Sequence, residues 1–174
     1  MTIRNIKEVF ERNRKLFSLK PEKGRTTSHS VSRITSGLSC EVKEGPWKFT
    51  VDLPEGAGGN NTGPTPGVLG RAAFGSCLAI TCRLYAETRD LSIDHISVEV
   101  EADYDDAVMF GCSDERAGYT ELRYTVQITS NESPDTIEKL ISDAEKAGAY
   151  LDIFSNSVPC KRTINITKPV QNET

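Results

Sequence analysis

The chain is poor in the residues that hold metals. Only two of its 174 residues are histidine, His29 and His95, and they lie far apart. Its five cysteines, Cys40, Cys77, Cys82, Cys112 and Cys160, include no CxxC pair. Neither set has zinc-ligand spacing, so no metal site is expected. An odd number of unpaired cysteines points to free thiols in a reducing compartment. No apolar run approaches the roughly 18 residues of a membrane span, and the N-terminus has no hydrophobic signal segment. A cytoplasmic chain with no membrane partner is therefore expected. The net charge of -4 supplies no basic surface, so nucleic acid is not an expected partner either.

What is present suffices for one folded domain. A domain of about 150 residues buries roughly 68–70% of the surface its unfolded chain exposes, so no disulfide or metal staple is required. Over residues 2–17, Ile3, Ile6, Val9, Phe10 and Phe17 recur at helical spacing among charged residues. This predicts an amphipathic helix, followed by a polar linker. Residues 1–26 thus read as an N-terminal appendage and 27–174 as the main domain.

Three short strands are expected next. The first spans His29–Thr35, and the second carries Leu38, Cys40 and Val42 on one face. The third alternates Trp47, Phe49, Val51 and Leu53 with Lys48, Thr50 and Asp52, the pattern of a half-buried strand. A loop rich in Gly and Asn follows. Its Gly56, Gly58 and Gly59 suggest a phosphate cradle, but Asn61 stands where the last glycine of that motif belongs, so a flexible loop is expected.

The central helix opens at Thr65, as N-cap, and Pro66, at its first position. It is apolar or small nearly all round, which requires cover on most sides and implies a second copy of the chain. Beyond it, Ile96–Tyr104 and Leu122–Ile128 alternate as strands. Ser133 and Pro134 open a second helix presenting Ile137, Leu140, Ile141 and Ala144. A short helical turn near Leu151–Phe154 precedes a last strand at Cys160–Thr167. The layout βββ-α-ββ-α-β is α+β. Glu99, Glu101 and Asp103 share one strand face, read as solvated.

Cys77, in the middle of the central helix, is either a small packing residue or a nucleophile kept from bulk water. A nucleophilic thiol needs a nearby cation or a helix N-terminus. Cys77 lies about three turns into the helix, beyond the reach of its dipole. Arg71 and Arg83 are each six residues away, off its face. Cys82 is five residues on, and its Cα lies over ~7 Å away at helical rise, too far and wrongly directed for a disulfide. Gly70, Ala72, Ala73, Gly75, Ser76 and Ala79 leave room beside the helix, either for close packing or for an apolar ligand.

Thr62-Gly63-Pro64-Thr65-Pro66 leading into Ala72-Ala73-Phe74-Gly75-Ser76-Cys77-Leu78-Ala79, with Leu84-Tyr85-Ala86-Glu87 beyond, resembles the OsmC/Ohr superfamily. The likeness covers roughly Thr27–Thr167. It implies an α+β fold, an intertwined homodimer with sites at the dimer interface, and thiol-dependent reduction of organic hydroperoxides without a cofactor. Cys77 falls at the peroxidatic position. The family's second cysteine aligns with Gly148, followed by Ala149, and the acid of Ohr-type enzymes aligns with Gly67. Arg33 is the candidate for the activating arginine. Cys160, or an external thiol, is the candidate to resolve oxidised Cys77. The alternative implied by these departures is a catalytically inactive member that binds a small hydrophobic ligand at the dimer interface.

Overall fold

Asn5 caps the first helix, α1 (Ile6–Leu19), its side-chain oxygen accepting from the Glu8 amide at 3.0 Å. The expected N-terminal helix is present. Ile3 of its predicted stripe lies outside residues 5–168, which the computed structural model describes. α1 lies against the long helix α2 (Pro66–Thr88): Phe10 meets Tyr85 edge-on at 6.1 Å, and Lys7 pairs with Asp90. The following polar stretch is exposed and holds a single 3-10 turn at Pro21–Gly24.

Strands β1 (Val31–Ile34), β2 (Cys40–Glu44) and β3 (Trp47–Val51) form the expected antiparallel meander in the order β1-β2-β3. Gly45, at φ +53°, supplies the left-handed residue that turns β2 into β3. The half-buried pattern expected of β3 does not hold. Trp47 is 72% exposed, Phe49 is exposed, and only Val51 is buried. The strand also ends at Val51 rather than continuing to Leu53.

Asp52 causes that ending, and its expected place on the polar face is wrong. Its carboxylate is turned inward, 2% exposed. It accepts from the amides of Leu53 (2.8 Å), Asn60 (3.2 Å) and Thr62 (3.2 Å) and from the Thr62 hydroxyl (2.6 Å). The loop expected to be flexible is thereby wound around one side chain. Its glycines are needed for this: a Cβ at Gly59 would lie 2.0 Å from the Leu53 carbonyl oxygen, and one at Gly63 2.2 Å from that of Thr50. The space a phosphate would take is filled by the chain itself.

The loop delivers Thr65, whose hydroxyl accepts from the Val68 amide at 3.3 Å and starts α2 as predicted. Strands β4 (Ile93–Asp103) and β5 (Glu121–Ser130) pair antiparallel, with Val98 opposite Val126 and Glu101 opposite Arg123. Helix α3 (Pro134–Ala147) begins at the predicted Ser133 cap, and α4 (Ala149–Ser155) follows at once. The core is one stripe of α2, Phe74, Leu78, Cys82 and Ala86, spaced at one turn. It packs against Ile96, Val98, Val100, Leu122, Tyr124 and Val126 of the sheet and against Leu140 and Ala144 of α3. Gly75 sets the closest approach, since a Cβ there would meet Val100 Cγ2 at 3.2 Å. On the outer face Arg123 bonds Asp103 at 2.5 and 3.0 Å and pairs with Glu121 at 3.1 Å, which neutralises part of the acidic row.

One expectation fails here. Residues 160–167 form no strand; they run as an exposed, irregular segment and pair with neither sheet. Within this one chain α2 keeps an uncovered side, where Ile80 is 67% exposed. α2 is long and apolar enough to cross a membrane by length and composition alone, yet its main stripe is built into the core between sheet and α3.

Gly75→Leu is expected to force α2 off β4 and destabilise the fold by about 2 kcal/mol, read by urea denaturation. Asp52 gives a second, pH-dependent test. The Thr62 hydroxyl holds its carboxyl below the ordinary value of 3.8, against the raising effect of burial, and the loop amides add to this. A depressed folded-state pKa stabilises above the ordinary value, and the contribution is lost as pH falls through the folded one. Asp52→Asn should therefore lower Tm by several degrees at pH 7, and the gap to the parent should close only as pH falls below the ordinary value of 3.8 and through the folded one. An unchanged gap across that range would show that the charge does not hold the loop.

Candidate functional site: the Cys77 helix and the cavity beside its N-terminus

The two thiols of α2 occupy different environments. Five residues apart, they are about 140° apart around the helix. Cys82 belongs to the core stripe and is 0% exposed. Burial raises its pKa, and the Glu145 carboxylate raises it further, so it is held as a neutral thiol. Cys77 is only partly buried and lies outside the core clusters. Its carbonyl accepts from the Thr81 hydroxyl at 2.8 Å, a bond that ties down backbone and leaves the thiol out. Of the two, Cys82 fits the packing role that the sequence leaves open for Cys77.

The other candidates are dispersed. Cys160 is exposed in the irregular segment after α4, its thiol donating to the Val158 carbonyl at 3.5 Å, and not on a strand beside α2. Cys112 is exposed in the loop between β4 and β5, and Cys40 is partly buried on β2. Arg33 is exposed on β1, opposite Glu41. Arg83 donates to the Ile93 carbonyl at 2.8 Å and pairs with Glu87, so it is spent on the β4 junction.

The two positions where the acid and second cysteine were expected differ in the room they leave. Beside Gly67, the Tyr119 hydroxyl donates to the Gly67 carbonyl at 3.0 Å. The Arg71 guanidinium stands 3.4 Å, and the Tyr119 hydroxyl 3.8 Å, from where a Gly67 Cβ would sit. Gly148 is buried in the joint between α3 and α4, its Cβ position 3.3 Å from the carbonyl oxygens of Ala144 and Glu145.

Tyr119 also belongs to a ladder of rings that the sequence did not suggest. Tyr104 and Tyr119 lie 5.9 Å apart, Tyr119 stacks on Phe154 at 5.8 Å, and Phe154 meets Phe74 at 5.9 Å. Phe74 in turn packs on Tyr124 at 5.0 Å. The outer rings wall a cavity of about 530 Å³ at the start of α2. The Tyr124 hydroxyl donates to Glu145 at 2.7 Å; burial, then that carboxylate, push its pKa up to about 12. These aromatics are scattered through the loop and α4 with no common period, so only tertiary structure joins them.

The model of the OsmC-like protein family matches residues 58–162. The chain belongs to the OsmC-like family. No curated protein matches its sequence. Among solved structures it is similar to an OsmC-like protein from Mycoplasma pneumoniae, at 16% identity and a TM-score of 0.65, covering 76% of this chain and 89% of that one. An organic hydroperoxide resistance protein OsmC from Legionella pneumophila is 19% identical at TM-score 0.53, covering 73% and 88%. An organic hydroperoxide resistance protein from Elizabethkingia anophelis, with thiocyanate bound, is 19% identical at TM-score 0.58, covering 76% and 91%. At these low identities the structural likeness establishes the shared fold alone. The OsmC-like match begins at residue 58, so α1 and the meander lie ahead of it.

Native thiol labelling with N-ethylmaleimide, located by peptide mass, should modify Cys112 and Cys160 first and Cys77 after them. Cys82 should react roughly a hundredfold more slowly than Cys77, since it opens only when the core does. Equal rates for the two α2 thiols would contradict this division.

Proposed function

We propose that this OsmC-like protein reduces organic hydroperoxides through Cys77, acting in the cytoplasm as a homodimer. The observation that carries the reading is the position of Cys77 in a family-matched helix, partly exposed, while the neighbouring thiol takes the packing role. The organic hydroperoxide resistance proteins that share its fold add support. The uncovered side of α2 and the exposed apolar side chains of the meander favour a second chain as their cover.

In this reaction the Cys77 thiolate attacks the outer oxygen of the hydroperoxide. The O–O bond breaks, the alkoxide leaves and takes a proton as the alcohol, and sulfur keeps the oxygen as a sulfenic acid. A second thiol then condenses with the sulfenic acid, releasing water and forming a disulfide, which two electrons from an external thiol reductant return to the reduced state. With Gly148 at the second-cysteine position, resolution falls to an external thiol or to Cys160. The cation that activates Cys77 comes from the partner chain or from the meander, where Arg33 is the candidate. No metal or cofactor enters.

The second reading is a catalytically inactive, ligand-binding member of the family. Gly67 and Gly148 favour it, since both stand where a catalytic side chain is expected.

Intact-mass analysis of the reduced protein after one equivalent of cumene hydroperoxide separates the two. Rapid loss of the Cys77 thiol, absent in Cys77→Ser, as a sulfenic acid or, with a second thiol lost, as a disulfide that Cys160→Ser abolishes, is the expected result. A Cys77 that stays reduced in folded protein would rule out the peroxidase.

A further inference from the structure

We propose that the aromatic-walled cavity beside the start of α2 is a binding site for a small, flat, uncharged aromatic molecule. The cavity includes Gly67, where the family's acid is expected, but not the thiol: Gly70, also in its lining, lies seven residues before Cys77, or about 10 Å along the helix. It holds whichever reading of Cys77 applies.

Four observations carry the proposal. The volume, about 530 Å³, falls within the range of small-molecule sites and far exceeds a packing defect. The walls are rings already set for stacking, with Tyr119 and Phe154 nearly parallel at 16° and Tyr104 beside them at 48°. Offset stacking on such faces selects flat aromatic guests. Met109 and Phe110, also in the lining, are 58% and 60% exposed. Finally, the site is built rather than accidental. Gly70 makes room for Tyr119: a Cβ there would stand 3.2 Å from its hydroxyl. The Asp52 network fixes the opposite wall, Leu53 to Thr65.

Charge narrows the ligand class. Asp106 is the one charged side chain lining the cavity among the described residues, and it opposes an anion. The positive end of α2, at Pro66 and Gly67, opposes a cation. A neutral guest is left, with the Tyr119 oxygen available as an acceptor because its proton is given to the Gly67 carbonyl.

The test uses two dyes with the same rings and different charge. The full-length protein is titrated with neutral N-phenyl-1-naphthylamine and with its sulfonated anionic analogue, 1-anilinonaphthalene-8-sulfonate, following fluorescence. Saturable uptake of one neutral dye per chain is expected, with the anion bound at least about tenfold more weakly. Tyr104→Ala, at an exposed strand end, and Tyr119→Ala should each weaken the neutral dye roughly tenfold with circular dichroism unchanged. If Tyr119→Ala fails to fold, Tyr104→Ala decides. Cys77→Ser should bind as the parent does, so failure of the peroxidase reading leaves this result intact. No uptake by the full-length protein, equal or tighter binding of the anion, or no effect of either ring deletion would each overturn the proposal. The first of these would mean that another surface, such as a second chain, fills the cavity.

Discussion

Helix α2 has more apolar surface than this chain can cover, and the rest of the structure is arranged around that fact. One stripe, Phe74 to Ala86, is sunk into the β4–β5 sheet and α3, with Gly75 letting the backbone come down onto Val98 and Val100. Each large side chain fully buried there contributes about 1.5–3 kcal/mol. The opposite side, with Ile80, has no such cover, and neither has the meander, where Trp47, Phe49 and Ile34 are exposed. Isolated exposed apolar residues need no explanation, but several on two neighbouring elements do. The C-terminal segment adds to the uncovered apolar surface, with Ile164 63% and Ile166 90% exposed.

The position of Cys77 follows from this arrangement. A residue on the core stripe is excluded from reagents, as Cys82 is; a residue about 140° round the helix lies at the margin between the covered and uncovered sides. A thiol at such a margin is reachable yet set against protein, which suits attack on an apolar hydroperoxide better than a fully solvated one does. What this chain lacks is the means of activation within its own α2. Arg83 is engaged at the β4 junction, and the Arg71 guanidinium stands beside Gly67, toward the other end of the helix. A second chain that covers α2 would therefore be asked to complete both the core and the chemistry.

The sequence made legible whatever local physics determines. Periodicity of two located β4 and β5, and the Thr65–Pro66 and Ser133–Pro134 pairs located both helix starts, because capping is a matter of adjacent residues. Cys77 as the thiol to watch came from the helix motif. The reading failed where a residue answers to distant partners. Asp52 obeys the alternation of β3 on paper, but four donors from residues 53–62 pull it inward and end the strand. Its only advance signal was a carboxylate placed just before a loop rich in glycine and asparagine, where bare amides need an acceptor. Cys160–Thr167 alternates like a strand, but alternation alone supplies no pairing partner, and within this chain the segment joins neither sheet. Tyr119 and Phe154 carry no pattern at all, being joined only when α4 folds back over the start of α2.

Asp52 links these threads. Its carboxylate fixes the loop that ends at Thr65, and Thr65 sets where α2 begins. A shift of one residue in that start would turn every α2 side chain by about 100°, moving Cys77 off its margin and Gly67 and Gly70 away from Tyr119. The close approaches of Gly59 and Gly63 to backbone carbonyls leave the loop no slack to absorb such a shift. One buried, fully bonded carboxylate thus governs the register of the thiol and the shape of the aromatic cavity together. That is why a loop with no chemistry of its own is built so tightly.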